Sequence, residues 1–130
     1  MQKKWALRAA TLTLGAGAAL GLAVGTANAA SLIQWGDSGS QVACLQQGLD
    51  YVNSAGLNVD SQFGQLTYTA VVNFQARHGL DKDGQVGPQT GGALKTDVRN
   101  SYYAFLHSGD NYDAGLMSKW MSNCNWQIPG

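Results

Sequence analysis

The stretch Asp60-Ser61-Gln62-Phe63-Gly64-Gln65-Leu66-Thr67 returns 23 positions later as Asp83-Gly84-Gln85-Val86-Gly87-Pro88-Gln89-Thr90, and this echo decides the fold. The continuation repeats as well, since Ala70-Val71 corresponds to Ala93-Leu94. Each copy has an Asp that can bond nearby backbone amides, an apolar residue to plug a core, and a Gly that permits a backbone angle other residues resist. Thr67 and Thr90 then fall in first helical turns. The repeat is therefore a turn feeding a helix, made twice, and each of its residues is first a folding device.

Upstream, the loop Gly36-Asp37-Ser38-Gly39-Ser40 offers capping residues, and Val42, Leu45, Leu49 and Val52 follow at helical spacing. Gly48 sits inside that helix at a modest propensity cost. The second helix is expected from about Gln65 to His78, with Ala70, Val71 and Phe74 on one face and Gly79 as its left-handed end residue. A third, short helix opens at Pro88 and carries Ala93 and Leu94 inward. The longest strand-like run is Leu32 to Trp35. The fold class is thus all-α: a small three-helix bundle with a pseudo-two-fold internal repeat, followed by a C-terminal helical tail in which Leu116, Met117, Trp120 and Met121 supply further apolar mass.

The chain of 130 residues is 45% hydrophobic and 12% charged, which suffices for one small domain. All eight acids are Asp, so every mechanism that needs a glutamate as general acid, nucleophile or metal ligand is excluded. Lys3, Lys4 and Arg8 open a segment with an apolar middle from Ala9 to about Val24 and the small-residue site Ala27-Asn28-Ala29, the three parts of a secretory signal. Residues 1–29 are expected to be a removable signal peptide. Gly15, Gly17, Gly21 and Gly25 dilute its apolar middle, so no stable membrane insertion is expected after cleavage. Without it, five cations face eight acids, a balance that excludes the basic footprint of a nucleic-acid-binding protein.

Secretion places Cys44 and Cys124 in an oxidising space, where a pair is expected to be bonded and to tie the first helix to the tail. The rest of the chain divides into a domain over residues 30–96 and a tail over 97–130 that packs on it.

Gly36-Asp37-Ser38-Gly39, Val42, Leu45-Gln46, Leu49, Asp60, Phe63-Gly64, Thr67, Ala70-Val71, Phe74-Gln75, Gly79-Leu80, Asp83-Gly84, Val86-Gly87-Pro88, Thr90 and Ala93-Leu94 together resemble the peptidoglycan-binding domain 1 family. The resemblance covers about Leu32 to Thr96. It implies a three-helix, pseudo-symmetric module that holds bacterial murein non-covalently, usually as an appendage to a wall hydrolase. Two positions depart from the family pattern. Ser61 stands where the first copy usually has Gly, and Gly91 stands where the second copy often has a bulky residue, commonly Trp, which opens space in the core. The stretch from Asp97 to Gly130 is too short to be a catalytic domain.

No enzyme is expected, and no metal or cofactor. His78 and His107 do not form a His-x-x-x-His pair, and Asp81-Lys82-Asp83-Gly84 lacks the acidic twelfth position of a calcium loop, where Gly92 stands. The expected partner is bacterial peptidoglycan, through its glycan or its stem peptide, and the expected location is extracellular or wall-associated. Amide side chains, an aromatic wall and one cation would suit such a ligand. Gln62, Phe63, Tyr68, Gln75 and Arg77 are the candidate binding residues. The alternative is a secreted protein-interaction or structural protein that kept the fold, using exposed aromatics such as Trp35, Tyr102, Tyr103 and Trp126; a cell-wall hydrolase ranks below both.

Overall fold

The computed structural model describes residues 30–130. The expected signal peptide, residues 1–29, lies outside the described residues. Four helices follow in order: α1 Ser40–Asn53, α2 Gln65–Arg77, α3 Pro88–Ser108 and α4 Asn111–Cys124. Among the described residues no helix is long and apolar enough to cross a membrane.

The two repeat turns behave alike. Phe63 and Val86 are buried plugs, and each copy then sends an aliphatic inward, Val71 in the first and Leu94 in the second. Leu32 to Trp35 forms no strand; instead the segment leading into α1 is laid across both turns. Ile33 exchanges backbone hydrogen bonds with Val86, at 2.8 and 3.2 Å, while Phe63 donates to Asp37 O at 2.9 Å and accepts from Gly36 N at 3.0 Å. Ile33 is fully buried as a result.

The caps differ from expectation. Gly39, Gly64 and Gly87 precede α1, α2 and α3, with no side-chain cap at any of them. Ser40 Oγ donates to Gln127 Oε1 at 2.6 Å, and Asp37 accepts from Gln34 N at 2.8 Å. The loop's polar residues are thus spent on the tail and on a local turn. Gly79, at φ +66°, ends α2 as expected.

The third helix is long, not short: it passes position 96 without a break and ends at Gly109, whose φ is +86°. Val98 is buried and Tyr102 and Phe105 pack against the core, which carries the apolar stripe of Leu94 down the added turns. Gly109 and Asp110 then turn the chain into α4, making an αα-hairpin. In α4, Met117 and Trp120 are buried; Met121 is partly buried against the core, whereas Leu116 is half-exposed and does not join it.

Gly48 is where α4 meets α1. A Cβ there would lie 2.9 Å from the Trp120 ring and 3.1 Å from Leu94. The indole N–H donates to Cys44 O at 2.8 Å, so the glycine admits a buried Trp whose polar edge is satisfied. Cys44 and Cys124 are disulfide-bonded across 80 residues, with Cα atoms 5.5 Å apart. The space beside Gly91 is not empty: a Cβ there would collide with Pro129 O and touch Ile128, and Ile128 is fully buried. The C-terminal segment thus takes the volume that the missing bulky residue leaves.

Candidate functional site: paired amide clefts on the repeat

Each repeat is clamped by a buried glutamine from the helix before it. Gln46 of α1 reaches Asp60 Oδ1 at 2.9 Å, Gln62 O at 3.1 Å and Thr67 Oγ1 at 3.0 Å, and accepts from Ser61 N at 3.1 Å. Gln75 of α2 does the same one repeat later, reaching Asp83 at 2.9 Å, Gln85 O at 2.9 Å and Thr90 at 3.1 Å while accepting from Gly84 N at 3.0 Å. Buried amides so fully satisfied are structural pins. The carboxylates they hold also accept from Gln62 N and Gln85 N, each at 2.9 Å. The Gln46 amide, then the Gln62 N–H, keep the Asp60 carboxyl below the usual range; for Asp83 the Gln85 N–H comes first and the Gln75 amide second.

Above each clamp lies a shallow cleft. The first, of about 220 Å³, is rimmed by Leu57, Asn58, Gln62, Gln65 and Leu66. The second, of about 200 Å³, is rimmed by Leu80, Asp81, Gln85, Pro88 and Gln89, the same five positions moved by one repeat, with Leu32 added. A third cleft of about 330 Å³ lies between the end of α1 and α2 and contains Asn53, Leu66, Thr69, Asn73 and Arg77. It shares Leu57 and Leu66 with the first cleft, so these two make one continuous surface.

The five sequence-derived binding residues are not brought together. Gln62 and Arg77 line adjoining clefts and are exposed. Phe63 and Gln75 are 3% and 1% exposed, held as plug and pin, and Gln75 also lines the base of the second cleft. Tyr68 stands nine residues from Arg77, two and a half helical turns, and so on the opposite side of α2. Its ring lies over Gly84, where a Cβ would collide with it, and it meets Trp35 edge-on at 5.8 Å between centroids. Sequence reasoning missed Gln65, Leu66, Asn73 and the pin Gln46. The pairing of Leu45-Gln46 with Phe74-Gln75 was the available signal for the pin; Gln65 and Asn73 carry none, because exposed polar side chains on a helix read as solvated, whereas an apolar Leu66 off the Ala70, Val71 and Phe74 face was a signal.

His78 pairs with Asp97 at 2.8 Å and packs against Phe74, and His107 is exposed in the last turn of α3. Fold and surface together define a small pseudo-symmetric helical module with shallow, amide-lined clefts. Residues 38–94 match the family model described as "Putative peptidoglycan binding domain". Over 58 residues it is 41% identical to a spore cortex-lytic enzyme of Halalkalibacterium halodurans, a match that covers 45% of this chain and 18% of that enzyme. Among solved structures it is similar to a peptidoglycan-binding protein from Clostridioides difficile in complex with glutamine hydroxamate, at 41% identity over 49% of this chain and 40% of that one, with a TM-score of 0.47. The SleB N-terminal domain is 39% identical over 55% of this chain and 93% of its own, with a TM-score of 0.49.

Proposed function

We propose that the protein binds insoluble bacterial peptidoglycan reversibly and does not cut it, acting as a secreted, wall-associated module. The observation that carries this is the family match over residues 38–94, which contains the first and third clefts and most of the second. The surface chemistry supports it: amides and hydroxyls in shallow clefts match a polymer of hydroxyls, amides and carboxylates. Gln62 and Arg77 belong to the contacting surface, whereas Tyr68, on the opposite side of α2 against Trp35, stands apart from it. The wall-binding part lies in residues 30–96, residues 97–130 brace it, and residues 1–29 direct export.

The non-catalytic part of the reading rests on where the reactive groups are spent. The chain has no Glu, both cysteines are bonded, and Asp60 and Asp83 hold their own turns. Shallow clefts exclude little water, so an affinity of roughly −5 to −8 kcal/mol, micromolar or weaker, is expected.

The mature chain should sediment with purified sacculi and leave their turbidity unchanged. Soluble muropeptides should release it, and added salt should weaken binding only in part. A second reading keeps a basis in the exposed Trp35, Tyr103, Tyr112 and Trp126, which line none of the three clefts. If sacculi of several chemotypes fail to retain the protein, wall binding is wrong and a protein partner at those aromatics replaces it; loss of turbidity would make it a hydrolase.

A further inference from the structure

We propose that the cleft at Arg77 takes a carboxylate of a short peptide, so that this protein grips peptidoglycan by the stem peptide and not by the glycan strand. The inference rests on the wall-binding reading above and names the part of the polymer held. Three observations carry it.

The first is charge. Arg77 is exposed in the last turn of α2, and among the described residues it is the only cationic side chain that lines any of the three clefts. Among those residues no carboxylate lies within ion-pair distance of it; the one close pair is His78 with Asp97. A planar guanidinium at the edge of a concave site is suited to a carboxylate, which it can hold through two parallel hydrogen bonds.

The second is the rest of the lining. Asn53, Thr69 and Asn73 offer both donors and acceptors, the alternation that a peptide backbone presents. Asn53 and Ser54 mark the end of α1, where the last carbonyls lack partners within the helix. Leu66, 69% exposed, stands with Leu57 and Ala70 as apolar wall for small aliphatic side chains. At about 330 Å³ the cleft reaches the lower end of the roughly 300 to 1,000 Å³ typical of small-molecule sites.

The third is what the lining does not contain. Among the described residues no Phe, Tyr or Trp lines this cleft or the adjoining one. A sugar ring offers an apolar face that an aromatic platform covers well, whereas a peptide with small side chains needs none. The aromatic pair of exposed Trp35 and half-buried Tyr68 is on the far side of α2.

The test compares three probes on the full mature chain: intact sacculi, glycan strands stripped of stem peptides by an amidase, and the soluble stem peptides so released. Intact sacculi should retain the protein, stripped strands should not, and the soluble peptides should compete. Arg77→Gln should weaken retention about ten- to a hundredfold with an unchanged circular dichroism spectrum, and Arg77→Lys should recover only part of it. Equal retention on stripped strands, or an Arg77→Gln variant that binds as the wild type does, overturns the inference and leaves wall binding standing. Failure of the wild type on intact sacculi overturns both.

Discussion

Gln46 and Gln75 each serve four partners from one buried amide, so the cost of losing either is the cost of several orphaned groups. Gln75→Leu keeps the volume and removes the pin, and it should lower the unfolding free energy by about 2 to 3 kcal/mol, measured by denaturant titration. The same turns differ at one position. Ser61 holds φ +65° and its counterpart Gly84 holds φ +73°. Ser61→Gly should be neutral to slightly stabilising, because relief of the left-handed strain offsets the flexibility gained by the unfolded chain. Gly84→Ala should cost about 2 kcal/mol or more, since the new Cβ meets the Tyr68 ring; pairing it with Tyr68→Ala should cost less than the two single changes added. The carboxylates in these turns set an acid limit. Both are held below the ordinary value near 3.9, so their stabilisation is complete above it and disappears as pH falls through the lower folded-state value. Thermal midpoints should fall below about pH 4, and by less in Asp60→Asn/Asp83→Asn. The Asp, Gly and plug positions of the repeat were legible in the sequence, because a turn writes its needs locally. The pinning role of the two glutamines was not, because the groups they hold arrive from 14 and 8 residues further along.

At the scale of elements, the internal echo predicted α2 and the start of α3 closely, but the end of α3 was missed. Leu94, Val98, Tyr102 and Phe105 recur every three or four residues, yet Thr96, Asp97, Arg99 and Asn100 lie between them and obscure the stripe. What stabilises those turns is α4, which packs back on them, and that contact is not written in α3 itself. The tail's apolar spacing did signal Met117 and Trp120; its last residues did not reveal that Ile128 and Pro129 would fill the space at Gly91. Truncation after Ser108 removes Met117, Trp120 and Ile128 together, and the shortened chain should lose its cooperative thermal transition. Trp120→Ala alone should cost about 3 to 5 kcal/mol, including the lost bond to Cys44 O. A truncated chain that melts cooperatively at the same temperature would mean the tail is a passenger.

In the whole molecule, α1 is the shared wall between two jobs. Cys44 and Gly48 face α4 and the tail, while Gln46, two residues from each and thus on the far side of the helix, pins the first repeat and underlies its cleft. Stability is gathered on one side of α1 and the candidate binding surface on the other. The disulfide closes a loop of 80 residues, for which chain entropy gives about 4 to 5 kcal/mol, with smaller values common in practice. That is a large share of the 5 to 15 kcal/mol, roughly, by which a small domain stays folded. Removing it should therefore lower the melting temperature strongly, while the cleft residues Gln62, Leu66 and Arg77, all on the repeat side, keep their places as long as the fold persists. Cys44→Ala/Cys124→Ala, assayed well below its own midpoint, should sediment with sacculi as the wild type does, and should lose retention only as temperature approaches that midpoint. The control is the circular dichroism spectrum at the assay temperature. If the variant is folded there and still fails to bind, the tail held by the disulfide contributes to the wall-binding surface, and the division of labour across α1 is wrong.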